Sequence, residues 1–162
     1  MENELHKIWK WFQIFLLVNL LLLLINCPDK PVAPKPAEIK ITDPENGVIK
    51  DRIFTTSGTC SNVPDGYIIW LVVRPQDENL WYPQGSSRSK EGTWSSNTII
   101  GRAGVEGEKD KGKKFYLIAL IVKENGSLGR GLLNALNSSG YITPDPLNPD
   151  IKKDHEIYVI RG

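Results

Sequence analysis

YIIWLVVR (67–74) and KFYLIALIVK (114–123) decide the fold. Both runs are rich in β-branched and aromatic residues, as strands are, and neither alternates, so apolar side chains fall on both faces of the extended chain. A strand in a two-layer protein meets the opposite sheet on one face and water on the other. Two strands apolar on both sides therefore need a second cover. The run SLGRGLLNALN (127–137) offers one: Leu128, Leu132, Leu133 and Leu136 recur at helical spacing behind Ser127 as N-cap. It predicts a short helix on the outer face of these strands, although Gly129 and Gly131 each cost on the order of 1 kcal/mol relative to Ala.

Further strand-like runs are EIKIT (38–42), IFTTSGTC (53–60), LWY (80–82), TWSSNTII (93–100) and HEIYVIR (155–161), separated by clusters of Gly, Pro, Asn and Asp. The pattern predicts an all-β, two-sheet sandwich of about seven strands with one short helix before the last. With 20 basic and 19 acidic residues and a net charge of +1, the chain carries no broad field for nucleic acid, and none is expected as a partner.

The amino-terminal composition is different. WFQIFLLVNLLLLLI (11–25) follows Lys7 and Lys10, and the 19 residues from Ile8 to Asn26 would span roughly 28 Å as a helix, close to a bilayer core. This predicts a membrane helix ahead of the domain. LLINC (23–27) resembles the lipobox of bacterial lipoproteins, which would make Cys27 the acylated first residue after cleavage; Asn26 stands where that motif has a small residue. The alternative is an uncleaved signal anchor with Lys7 and Lys10 inside. Residues 1–27 are thus read as signal peptide or anchor and residues 38–162 as the domain. Between them PDKPVAPKPA (28–37), with four prolines in ten residues, is read as an extended linker of roughly 30 Å. Both versions put the domain outside the cytoplasm, tethered to the cell membrane.

Residues 39–123 resemble the immunoglobulin-like modules of bacterial and archaeal surface proteins. The resemblance is carried by ITDPENG (41–47), SGTCSNVP (57–64), YIIWLVV (67–73), YPQ (82–84) and GTW (92–94). It implies an immunoglobulin-like sandwich, with Cys60 and Trp70 similar to the cysteine and tryptophan of antibody-type domains. Ala119 and Ile121 occupy the strand that would carry a second cysteine, so no disulfide between the sheets is implied.

Trp70, amid an apolar strand, reads as core. Trp81 and Tyr82 are flanked by loop-like QDEN (76–79) and PQGSS (83–87). They either plug the edge of the sandwich or, with Gln84, stack on a sugar ring. TPDPLNPDIKKD (143–154) offers Asp145, Asn148, Asp150 and Asp154, oxygen ligands of the kind Ca²⁺ accepts, but matches no cation-loop motif; it reads as a stiff solvated connection. EGEKDKGKK (106–114) likewise reads as a mixed-charge solvated loop. The histidines are His6 and His155, and no G-x-S-x-G run supplies a nucleophile. His155 reads as a solvated strand residue. No cofactor or catalysis is expected. The expected function is that of a binding or structural module of the cell surface, partnered by a surface protein or polysaccharide. The alternatives are a carbohydrate- or cell-wall-binding module and an accessory subunit of, or degenerate, envelope hydrolase.

Overall fold

The computed structural model describes residues 6, 9–17, 19, 33–143 and 148–162. Internal contacts divide the chain into Met1–Pro34 and Lys35–Gly162. Among the described residues of the first unit, Trp9 to Leu17 are helical, and no described helix is long and apolar enough to cross a membrane. Ile8, Val18 and residues 20–26 of the expected span, together with Cys27 and the start of the linker, lie outside the described residues.

The described residues of the second unit form eight strands: β1 (Glu38–Asp43), β2 (Ile49–Lys50), β3 (Ile53–Ser61), β4 (Tyr67–Pro75), β5 (Tyr82–Ser87), β6 (Gly92–Ile99), β7 (Lys114–Lys123) and β8 (Ile151–Arg161). A three-stranded sheet runs β1-β3-β6 and a five-stranded sheet runs β2-β8-β7-β4-β5. The strand missed by sequence, β2, is two residues long and pairs in parallel with β8. ITDPENG sets it there: a register break between Ile41 and Asp43 ends β1, and the turn is pinned to β8 by Gly47 N donating to Tyr158 O at 2.7 Å and Tyr158 N to Asn46 Oδ1 at 2.9 Å. The chain thereby passes from one sheet to the other.

The two sheets close on one apolar core, the layering of a β-sandwich. Ile39, Ile41, Cys60 and Trp94 come from the smaller sheet; Ile69, Leu71, Leu117, Ala119, Ile121 and Val159 from the larger. Gly58 makes room for the Trp94 ring, because a Cβ there would lie 2.6 Å from it and collide with the Lys40 carbonyl. Trp94 Nε1 donates to Thr59 O at 3.2 Å, so the ring is buried without stranding its donor.

A second cluster lies on the outer face of β4 and β7: Ile68, Trp70, Val72, Ile118, Leu120 and Val122, with Leu128 and Leu132 of the helix α2 (Ser127–Asn137). The helix covers the face that the two non-alternating strands left unaccounted for. Its N-cap is Gly126 rather than Ser127. Trp70 corrects the antibody analogy: adjacent strand residues point to opposite faces, and Trp70 packs in the outer cluster while Cys60 packs between the sheets. The indole in the inter-sheet core is that of Trp94. A further short helix, α1 (Gly104–Glu108), falls in the loop before β7, where sequence suggested none.

A cleft at one end of the sandwich

A cleft of about 560 Å³ opens between the C-terminal end of β4, the start of β5, the end of β6, the start of β7 and the C-terminal end of α2. That volume is within the usual range of ligand pockets, roughly 300–1,000 Å³. Val73 and Phe115, both buried members of the inter-sheet core, line its apolar side together with Pro75 and Leu136. The cleft is thus the open end of the core, where the helix and a long loop stop short of closing it.

Tyr82 and Trp81 are parted by strand geometry. Trp81 is 6% exposed and packs in the outer cluster, with its backbone bridged to Ile142 by bonds of 2.9 and 3.0 Å. Its ring is not offered to solvent. Tyr82, one residue on, points the other way and lines the cleft. Its hydroxyl donates to Glu78 Oε2 at 2.6 Å, and its ring lies 5.8 Å from that of Tyr141 at 58°. Burial first, then the hydrogen bond to the Glu78 carboxylate, pushes the Tyr82 phenol up to about 12. Gln84 also lines the cleft, with its amide already committed: Nε2 donates to Tyr82 O at 3.0 Å and Oε1 accepts from Ile99 N at 2.7 Å. Sequence alternation alone carried the signal that Trp81 and Tyr82 face apart.

The loop between β6 and β7 supplies the charged wall. Asp110 is buried, and its carboxylate accepts from Arg102 N at 2.8 Å, Arg102 Nε at 3.1 Å and Arg102 Nη2 at 2.9 Å, with Lys113 Nζ at 3.4 Å. The Arg102 guanidinium, more than any other cause, holds this carboxyl well below the usual aspartate range. The run 106–114, read as merely solvated, is therefore built around a buried carboxylate. A run of alternating lysines and acids gives no sign of which acid turns inward.

The four candidate cation ligands meet different fates. Asp145 lies outside the described residues. Asn148 Oδ1 accepts from Asp150 N at 2.9 Å. Asp150 Oδ2 accepts from Leu128 N and Ser127 Oγ, each at 3.1 Å, which makes it a long-range cap for α2. Asp154 is exposed on β8 opposite Leu120. Among the described residues no three His, Cys, Asp or Glu side chains are grouped to hold a metal. Cys60 is a buried free thiol 3.6 Å from Ser89 Oγ. His155 is half-buried rather than solvated, and its Nδ1 accepts from Ile41 N at 3.3 Å, joining β8 to β1 of the other sheet.

No protein-family model matches the chain, and no curated protein is similar to it.

Proposed function

We propose that this protein is a membrane-tethered, extracytoplasmic and non-catalytic binding module of the immunoglobulin-like type, with its ligand site in the cleft at the Tyr82 end. The strand order supports the type. Sheets β1-β3-β6 and β8-β7-β4-β5 follow the A-B-E and G-F-C-C′ order of immunoglobulin sandwiches, with β2 added beside β8 and α2 inserted between the last two strands. The tether is supported by the apolar run 11–25 between Lys10 and the proline-rich residues 28–37. Partners of such a tethered module are a surface protein or an envelope polysaccharide.

The observation that carries the binding reading is the cleft itself. It pairs buried apolar residues with a half-buried tyrosine and several charged groups, the mixed lining that orients a small ligand or a protruding side chain. Catalysis is not called for, because Asp110 is engaged by Arg102 and Lys113, and Glu78 by Tyr82. Trp81 is covered, so no exposed Trp81–Tyr82 pair is available to stack on a sugar.

The test is ring-labelled tyrosine NMR on the full chain in nanodiscs, titrated with saccharides, amino acids, amines and short peptides. Tyr82→Phe assigns the decisive signal. Displacement of the Tyr82 and Tyr141 signals with Tyr67, Tyr116 and Tyr158 unmoved is the expected result. A Tyr82 signal indifferent to the whole panel would remove the cleft as a binding site.

A further inference from the structure

Charge in the cleft is unequally answered. Three carboxylates, Asp77, Glu78 and Asp110, face two cations, Arg102 and Lys113. Both cations are committed: Lys113 Nζ lies 3.6 Å from Asp77 and 3.4 Å from Asp110, while Arg102 binds Asp110 at 2.9 Å and Glu106 at 3.4 Å. Arg102 feels the charge of Glu78, but its donors go elsewhere. Among the described residues Glu78 forms no ion pair, and its carboxylate accepts only the Tyr82 hydroxyl.

The Tyr82 hydroxyl is bonded to this carboxylate, and the Tyr141 ring lies 5.8 Å from that of Tyr82. A carboxylate with no cation partner of its own attracts one through its charge. The neighbouring lining of Val73, Pro75, Phe115 and Leu136 is apolar and suits a hydrocarbon stem. An anionic ligand would add to the carboxylate excess, and a neutral one would leave it unanswered.

We infer that the cleft receives an alkylammonium group, a primary ammonium on an apolar stem, with the charge at Glu78 beside Tyr82 and the stem along Val73, Phe115 and Leu136. The inference rests on the cleft being the binding site. A free diamine and a lysine side chain of a partner protein present the same chemistry.

Calorimetric titration of the full chain in neutral detergent micelles separates the possibilities. The probes are cadaverine, N-acetyl-lysine methylamide, its neutral counterpart N-acetyl-norleucine methylamide, and N-acetyl-glutamate methylamide. Because Glu78 is exposed, the ammonium probes are expected to bind about threefold to fivefold more tightly than the norleucine amide, and to weaken as salt rises to about 0.5 M. Glu78→Gln should abolish that preference and Tyr82→Leu should weaken it. Tyr82→Phe keeps the ring and releases Glu78 from its internal bond, so binding should hold or tighten. Preference for the lysine amide over cadaverine would identify a protein side chain as the source, and the reverse a free amine. Equal binding of the norleucine and lysine amides, lost in Tyr82→Leu, would overturn the ammonium inference and leave the cleft a binding site. Ammonium binding untouched by Glu78→Gln and Tyr82→Leu would overturn it by placing the probe elsewhere. Silence from these probes and from the tyrosine NMR panel alike would overturn both.

Discussion

Asp110 and Asp150 each fix a chain segment by accepting a main-chain N–H, from Arg102 and Leu128 respectively. Both aspartates titrate lower folded than their ordinary value, Asp110 chiefly through the Arg102 guanidinium and Asp150 chiefly through the Leu128 N–H. An unfolded aspartate titrates near about 3.9, so the stability they add is complete above that value and is lost as pH falls through the folded pKa. The unfolding temperature of the full chain should therefore drop on the acid side. Asp110→Asn should lower neutral-pH stability by about 1–3 kcal/mol and flatten the acid limb. A limb as steep as the parent's would assign the acid loss to other groups. Tyr82 has the opposite sign: with its phenol raised to about 12, its contribution is present below about 10 and lost as pH rises through the folded value. In an ultraviolet titration one of the five tyrosines should ionise late. Glu78→Gln should bring it only part of the way back, because the effect of burial, the largest single cause, remains. A full return would make the carboxylate dominant.

At the scale of elements, α2 shows why propensity alone misjudges a residue. Gly129 and Gly131 both count against a helix, yet they sit in different surroundings. A Cβ on Gly129 would lie 2.5 Å from the carbonyls of Lys123 and Glu124, whereas one on Gly131 meets only Ile142 Cγ2 at 4.0 Å. Gly131→Ala should raise stability by roughly 0.5–1 kcal/mol. Gly129→Ala should lower it by about 1–3 kcal/mol, since the helix would have to lift from β7. Equal effects of the two substitutions in chemical denaturation would mean that α2 is not seated this closely. Leu132, fully buried beneath the helix, should cost about 2–5 kcal/mol as Leu132→Ala, against little for Leu133→Ala, 49% exposed. The helix was legible because β4 and β7 lack alternation and four leucines recur behind them. Its cap was not, because Asp150 comes from more than twenty residues away. Strand β2 escaped for a simpler reason: two residues cannot display a period.

Across the whole molecule, β-patterning revealed the layers and concealed what joins them. The cleft draws on four strand ends, two loops and a helix terminus, and no local period marks such a meeting. Gln84, named as a ligand residue, illustrates the difference. It lies on β5, at one edge of the five-stranded sheet, and its Oε1 accepts the Ile99 N–H on β6, at the edge of the three-stranded sheet. On the other side of the sandwich His155 of β8 accepts from Ile41 of β1. One side chain therefore bridges the sheets along each seam. Gln84→Ala should remove two hydrogen bonds, costing about 1–2 kcal/mol. The Ile99 amide should then exchange with solvent about tenfold faster or more, because its opening no longer requires breaking a bond to Gln84. Gln84→Glu keeps the acceptor and loses only the donor to Tyr82 O, so Ile99 should stay protected. Amide exchange followed by NMR distinguishes the two variants at a single residue. Should Ile99 exchange no faster in Gln84→Ala than in the parent, the seam would be closed by core packing between the sheets and not by this bridge.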